Sequence, residues 1–255
     1  MYKQVIVIGA GLGGLCSAIR LLNKGYNVTI LEKNEKIGGK VNIIKNNEFK
    51  FDLTASILMT PKSYTDIFEE CKKDYKDYFK LIKLNPIYKV FYDDKTSYNF
   101  YSDTNEIINQ LEKISPGLSV EFLHFLSKSY MKYFISKHKI LDQPMINLKE
   151  IMNASFIYNM CKINPAKTTY NYLNKMIHNE KIKNYLIFTS MYIGVNPYKS
   201  SNIYTLIPTI SHLYGLWYIE GGLYEYIKAL EKLFAELGGK IITNCEVNKI
   251  LVEKN

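Results

Sequence analysis

The chain has 255 residues, of which 47% are hydrophobic and 22% charged, enough for one large or two modest domains and too apolar for disorder to be its main state. Its formal charge of +9 comes from 33 Lys and Arg against 24 Asp and Glu, but the lysines are dispersed, with no basic block or Gly-aromatic signature, so no nucleic acid partner is expected. Cys16, Cys71, Cys161 and Cys245 are scattered without a CxxC pair, which excludes a disulfide scaffold and suits a reducing compartment.

Met1-Tyr2-Lys3-Gln4 runs straight into Val5-Ile6-Val7-Ile8. Glycines interrupt the apolar run after four residues, unlike an export signal, so the expected location is cytoplasmic. Four consecutive aliphatics predict a strand buried on both faces. Gly9-Ala10-Gly11-Leu12-Gly13-Gly14 follows. Leu15, Ile19 and Leu22 then recur at helical spacing from Leu12 to Lys24, with Gly25 at the stop. Val28 to Leu31 is a second strand, ending at Glu32. Residues 41–58 read as short strands around a polar turn at Asn46-Asn47.

From about Pro61 to Ser211 helical segments are expected, with loops near Pro86, Pro116, Pro144, Pro165 and Pro197. The stretch Asn184 to Ile219 carries one formal charge, Lys199. Its aromatics Tyr185, Phe188, Tyr192, Tyr198, Tyr204, Tyr214 and Trp217 would suit either the walls of a tunnel for an apolar substrate or an ordinary core. Phe122 to His138 mixes aromatics with Lys128, Lys132 and Lys137, as in a solvated helix or one lying on a membrane. Gly221-Gly222 precedes an amphipathic helix with Leu223, Ile227, Leu230, Phe234 and Leu237 on its buried face. Ile241 to Thr243 and Val247 to Val252 read as two closing strands.

The Gly9-x-Gly11-x-x-Gly14 motif gains weight from its context. It follows a strand, opens a helix, and has Glu32 at the end of the next strand, 18 residues after Gly14. Gly9 permits the tight turn, Gly11 lets a pyrophosphate approach, and Gly14 lets helix and strand pack closely. The helix N-terminus offers free N–H groups to phosphate. Glu32 can accept from a ribose diol and would repel a 2′-phosphate, which favours an unphosphorylated dinucleotide, NAD or FAD. His124, His138, His178 and His212 are isolated, so no metal site is expected and each reads as structural. No protein-borne catalytic set emerges.

Glu32-Lys33 is followed by Gly38-Gly39-Lys40, then Phe51-Asp52 and Ser56 before Pro61. Later come Tyr218-Ile219-Glu220-Gly221-Gly222 and Ala229-Leu230. Over about residues 1–68 and 214–252 this pattern resembles the phytoene desaturase (carotenoid desaturase) family, within the flavin amine oxidase-like group. The resemblance implies an α/β fold: an incomplete Rossmann-like FAD-binding domain from residues 1–64 and 214–255, with a mainly helical substrate domain inserted at 65–213. It implies FAD as cofactor. Gly9, Gly11, Leu12, Gly13 and Gly14 would line the pyrophosphate, and Glu32 and Lys33 the adenosine ribose. Gly39 and Lys40 would lie near the phosphates and flavin, and Val247 would meet the adenine. Thr54, Ala55 and Ser56 would approach the isoalloxazine. The family usually has Arg at the position of Lys40 and Gly at that of Thr54, where a positive φ would strain a β-branched residue.

The implied activity is removal of hydrogen from a long apolar polyene, phytoene or dehydrosqualene in class, in carotenoid biosynthesis, with the flavin carrying the chemistry. The alternatives are another flavin amine oxidase-like enzyme (amine oxidase, polyene isomerase or saturase) or a truncated inactive remnant. Peripheral attachment to the cytoplasmic membrane is a further expectation, and no oligomeric state is assigned. Family members are roughly twice this length, so the chain is expected to be an N-terminal half.

Overall fold

The computed structural model describes residues 3–138 and 154–252. The loop expected near Pro144 lies outside these residues. The chain divides into two compact units, residues 1–83 with 217–255, and residues 84–216.

The first unit opens with strand β1 (Gln4–Ile8), helix α1 (Leu12–Asn23) and strand β2 (Asn27–Leu31). β1 and β2 pair in parallel from Gln4↔Asn27 to Ile8↔Leu31. β10 (Lys240–Ile242) adds to the far side of β2, giving the order β1-β2-β10. Two helices, α1 and α9 (Tyr224–Glu236), cover one sheet face. Leu15, Ala18 and Ile19 of α1 and Ile227, Leu230 and Phe234 of α9 are buried there with Val28 and Ile30. These positions are the apolar stripes at helical spacing.

β1 departs from expectation. Val5 and Val7 pack against the core, but Ile6 and Ile8 are 64% and 53% exposed. The reason is position: β1 is an edge strand in a sheet covered on one face. Lys3 O accepts from Asn27 N, and Gly9 N donates to Leu31 O. In a parallel ladder alternate residues bond to one neighbour. The amides of Gln4, Ile6 and Ile8 therefore point to the open edge.

The hairpin β3 (Ile43–Lys45) and β4 (Lys50–Asp52) turns at Asn46, whose Oδ1 accepts from Phe49 N. β5 (Ile57–Leu58), helix α2 (Lys62–Glu70) and β6 (Leu81–Lys83) come next, with β9 (Trp217–Ile219) between β5 and β6 in an antiparallel sheet. The Gly221-Gly222 turn before α9 is held by β4. Lys50 Nζ donates to Gly221 O, and a Cβ on Gly222 would lie 2.4 Å from Asp52 Oδ2.

The second unit holds the hairpin β7 (Tyr88–Phe91) and β8 (Ser97–Phe100) and six helices among the described residues. These are α3 (Thr104–Ile114), α4 (Leu118–Ser136), α5 (Ala154–Ile163), α6 (Thr169–Met176), α7 (Glu180–Ser190) and α8 (Leu206–Tyr214). Asp103, Thr168 and Asn179 cap α3, α6 and α7 through their side chains, satisfying otherwise free N–H groups. The core centres on Phe100 stacked on Tyr185 at 3.6 Å, with Phe122, Phe125, Leu111 and Leu186.

Helices dominate residues 61–211, as expected, with the short strands β6, β7 and β8 between them; strands of three or four residues carry little periodic signal. One further expectation needs correcting. Residues 247–252 are not a strand, because no neighbouring strand pairs with them among the described residues. No described helix is long and apolar enough to cross a membrane.

Candidate functional site

The glycine loop joins β1 to α1. Gly9 has φ of +95°, a region open to glycine and costly for other residues. A Cβ on Gly14 would fall 2.0 Å from Gly9 O, so only glycine lets α1 start this close to β1. Leu15 N donates to Gly11 O at 2.9 Å, which leaves the first amides of α1 without helical partners. No side chain caps this end. The helix dipole and these amides form an anion-binding terminus.

The Gly38-Gly39 turn comes up beside the loop. Gly38 N donates to Ala10 O at 2.8 Å, and Gly11 and Gly38 form a parallel bridge. A Cβ on Gly39 would lie 3.3 Å from Gly11 Cα.

Glu32 is 5% exposed and ties the glycine loop to the segment after β2. Oε2 accepts from Ala10 N at 2.7 Å. Oε1 accepts from Asn34 N at 2.9 Å and Asn34 Nδ2 at 2.8 Å. Burial pushes this carboxyl upwards, but the bonds from Asn34 and Ala10, with Lys33 nearby, outweigh it and hold it below its usual range. The backbone of Glu32 also accepts from Cys245 N at 2.9 Å, which brings the segment after β10 alongside.

These elements enclose a cavity of about 380 Å³. Gly9, Gly11, Gly39, Glu32, Lys33 and Val247 line it, six of the residues expected from sequence, together with Ile8, Leu31, Asn34, Cys245 and Glu246. Leu12, Gly13 and Gly14 form the first turn of α1 beside it. Lys40, Thr54, Ala55 and Ser56 do not line it. Thr54, despite its β-branch, is not among the residues with positive φ, so threonine carries no backbone strain there. Two residues earlier, Asp52 Oδ1 is buried and has no hydrogen-bond partner among the described residues.

Asn34, Cys245 and Glu246 were not anticipated. Asn34 had a weak signal, an amide two residues beyond the acid; Cys245 and Glu246 arrive through the pairing of β10 and had none.

Residues 12–255 match the family described as flavin-containing amine oxidoreductase. The chain belongs to the flavin-containing amine oxidoreductase family. FAD is the cofactor this membership implies, and the cradle fits it: a close-packed glycine loop, a free helix terminus and a buried acid after β2. The chain is 34% identical over 250 residues to a 4,4′-diapophytoene desaturase (4,4′-diaponeurosporene-forming) of Staphylococcus aureus, covering 98% of this chain and 50% of that protein. It thus spans about half the length of the curated relatives it matches. An oxidoreductase from Methanosarcina mazei matches with a TM-score of 0.55 at 20% identity, over 98% of this chain and 53% of the other. Putrescine oxidase bound to putrescine matches with a TM-score of 0.56 at 11% identity, over 96% and 51%. At such identities these two likenesses show the family's fold alone.

The second unit has its own cavity, of about 450 Å³, between the β8–α3 connection, α3, α4 and α8. His212 lies in its wall, 3% exposed. Its Nδ1 is 2.9 Å from Tyr101 O, which can only accept, so Nδ1 carries the proton. Nε2, 2.8 Å from the Tyr185 hydroxyl, is then the acceptor. Burial pushes the imidazole pKa down to about 4, so His212 is neutral at physiological pH. Elsewhere in the unit, Lys132 Nζ donates to Asn202 Oδ1 at 2.8 Å and sits 3.3 Å above the Tyr172 ring. Burial and nearby Lys167 lower its pKa to about 8. The aromatics of 184–219 do not form one wall: Tyr185 is in the core, whereas Phe188 and Tyr198 are exposed.

Proposed function

We infer that the chain contributes the FAD cradle and a helical substrate unit to a carotenoid desaturase acting on a long apolar polyene of the diapophytoene class. The observation that carries this reading is the 34% identity to a 4,4′-diapophytoene desaturase over 98% of the chain. The cradle supports it independently. The α1 terminus and the loop Gly9, Gly11, Leu12, Gly13 and Gly14 would hold the pyrophosphate, with Glu32 and Lys33 on the ribose and Val247 at the adenine. Gly39 and Lys40 would face the phosphates and flavin, and Thr54, Ala55 and Ser56 the isoalloxazine.

Bound FAD supplies the hydride acceptor for a net loss of two hydrogens that leaves a new double bond. The chain's part is to bind and orient. Glu32 uses one acceptor position of Oε2 and two of Oε1 on protein donors, which leaves acceptor capacity for a diol. Its charge disfavours a 2′-phosphate, hence NADP.

The reading extends to peripheral association with the cytoplasmic membrane. Val120, Leu123, Met131 and Phe134 of α4 are exposed, with Lys128 on the same helix and Lys137 at its C-terminal cap, a pattern suited to an anionic lipid surface. Flotation with anionic liposomes tests that part.

The main test is reconstitution of the purified chain with FAD and 4,4′-diapophytoene. Flavin retained through gel filtration, with new long-wavelength absorbance, supports the reading. Retained flavin without product overturns the activity. A colourless protein overturns the cradle and favours an inactive remnant.

A further inference from the structure

We propose that Asn34 limits Glu32 to a single free acceptor, so that the cradle grips one hydroxyl of the adenosine ribose and not both. A carboxylate offers about four acceptor positions, two on each oxygen. Oε1 accepts from Asn34 N at 2.9 Å and from Asn34 Nδ2 at 2.8 Å, which fills it. Oε2 accepts from Ala10 N at 2.7 Å, which leaves one position open. The carboxyl is held below its usual range, so neither oxygen carries a proton to donate. Glu32 lines the cavity, and a ribose arriving there would bring two neighbouring donors, its 2′ and 3′ hydroxyls, to one acceptor.

Asn34 is a positioning residue in this scheme. Its carbonyl accepts from Asn244 N at 3.2 Å, and Glu32 O accepts from Cys245 N at 2.9 Å, so the segments after β2 and β10 are stitched together around it. The orientation of its amide follows from charge: turned over, it would set Oδ1 against a carboxylate oxygen, two acceptors face to face. With Asn34 on one oxygen and Ala10 on the other, the carboxylate is fixed at both ends, and Oε2 stands beside the glycine loop.

Naming adenosine ribose as the occupant rests on the FAD reading of the cradle; the count of free acceptors does not. The test uses the full chain without FAD. ADP, 2′-deoxyADP and 3′-deoxyADP are titrated by calorimetry into wild type and Asn34→Ala. In wild type one deoxy nucleotide should bind on the order of tenfold or more weakly than ADP, as for a lost hydrogen bond to a charged group, and the other within about twofold of ADP. Asn34→Ala removes the Nδ2 donor, keeps the backbone one and opens a position on Oε1. The second hydroxyl then has an acceptor, and both deoxy nucleotides should fall behind ADP. A carbon-13 titration of the Glu32 carboxyl in the ligand-free chain reads the Asn34 bond directly. The midpoint should lie below the ordinary 4.5 in wild type and rise in Asn34→Ala, which loses a donor to the charged form. Lys33, Cys245 and Glu246, the other ionisable groups lining the cavity, are common to both proteins. Equal losses for the two deoxy nucleotides in wild type, no loss for either, or a binding pattern or midpoint unchanged in Asn34→Ala overturns the proposal. Absence of ADP binding in wild type would overturn the cradle itself, and the carboxyl titration would still decide the Asn34 bond.

Discussion

Gly13 and Gly14 are adjacent in one helical turn, yet alanine should act oppositely at the two positions. A methyl on Gly14 would sit 2.0 Å from Gly9 O, with Gly9 C at 3.2 Å. The obstacle is backbone, so no side chain can swing aside; α1 and the loop must separate by more than about 1 Å. Overpacking of this kind costs about 1–3 kcal/mol. At about 2–4 °C per kcal/mol for a chain of this size, Gly14→Ala should melt several degrees below wild type. Gly13 has nothing within 4 Å of its added Cβ. Alanine there gains up to about 1 kcal/mol in helix propensity, so the melting temperature should hold or rise. The same methyl points into open space at the helix terminus, where a pyrophosphate would lie, and should weaken flavin binding. Thermal unfolding followed by circular dichroism, with flavin titration by fluorescence quenching, separates stability from binding. A Gly14→Ala variant as stable as wild type would refute the close approach of loop and helix. A Gly13→Ala variant that binds flavin normally would refute the placement of phosphate at this terminus.

The same geometry fixes other outcomes. Ile6→Pro should be tolerated, because its amide points to the open edge of β1, whereas Val7→Pro removes a ladder donor to β2 and should lower the melting temperature sharply. Glu32→Ala strands the Ala10 and Asn34 donors and should cost about 2–3 kcal/mol, with Glu32→Gln milder because it keeps one acceptor. Glu32 is also pH-linked: its folded pKa lies below the free value of 4.5. Its contribution is complete above that value and lost as pH falls through the folded one, so wild type should lose more stability on acidification than Glu32→Gln. His212 stays neutral down to about pH 4 when folded and takes a proton from 6.5 downward when unfolded. The unfolded state therefore binds more protons in that window, and stability should fall as pH drops from 6.5 to about 4, by at most about 3 kcal/mol. In His212→Phe this loss should disappear; histidine NMR on wild type should show one imidazole that does not titrate above pH 5, about one unit over its folded value.

The cradle was legible because its constraints are local. Gly9 and Gly14 answer to a positive φ and a backbone contact, and Glu32 closes the next strand, so residue type and spacing carry the geometry. The amphipathic stripes of α1 and α9 were legible for the same reason, since their buried faces repeat at helical spacing. Asn34 reaches the cavity through its bonds to Glu32, whereas Cys245 and Glu246 reach it only because β10 pairs with β2, and nothing in their types announces that pairing. β6 to β8 are too short to show a period. Val247 to Val252 has the aliphatic content of a strand, but a strand also needs a neighbour, and composition does not supply one. The cavity of the second unit was legible only at Tyr214, which falls in the aromatic stretch read as a possible tunnel wall. Tyr101, Ile107, Leu126 and His212 come from four separate stretches, and each alone reads as core.

The two cavities handle charge in opposite ways, and this bears on what each can hold. Around the cradle the protein keeps opposite signs close together. The α1 terminus and its free amides attract an anion, while Glu32, held ionised by three hydrogen bonds, presents a carboxylate next to the loop. A dinucleotide with a diphosphate at one point and a neutral diol at the next satisfies both; a 2′-phosphate satisfies the first and offends the second. In the helical unit the one base in the wall is locked as a neutral tautomer by partners on both nitrogens. Freeing either partner would change that. Tyr185→Phe removes the donor to Nε2 and leaves a buried acceptor facing an apolar space, a loss of about 1–3 kcal/mol. Thermal unfolding of Tyr185→Phe should show that loss as a melting temperature a few degrees below wild type, and an unchanged melting temperature would mean that the Tyr185 hydroxyl does not hold His212.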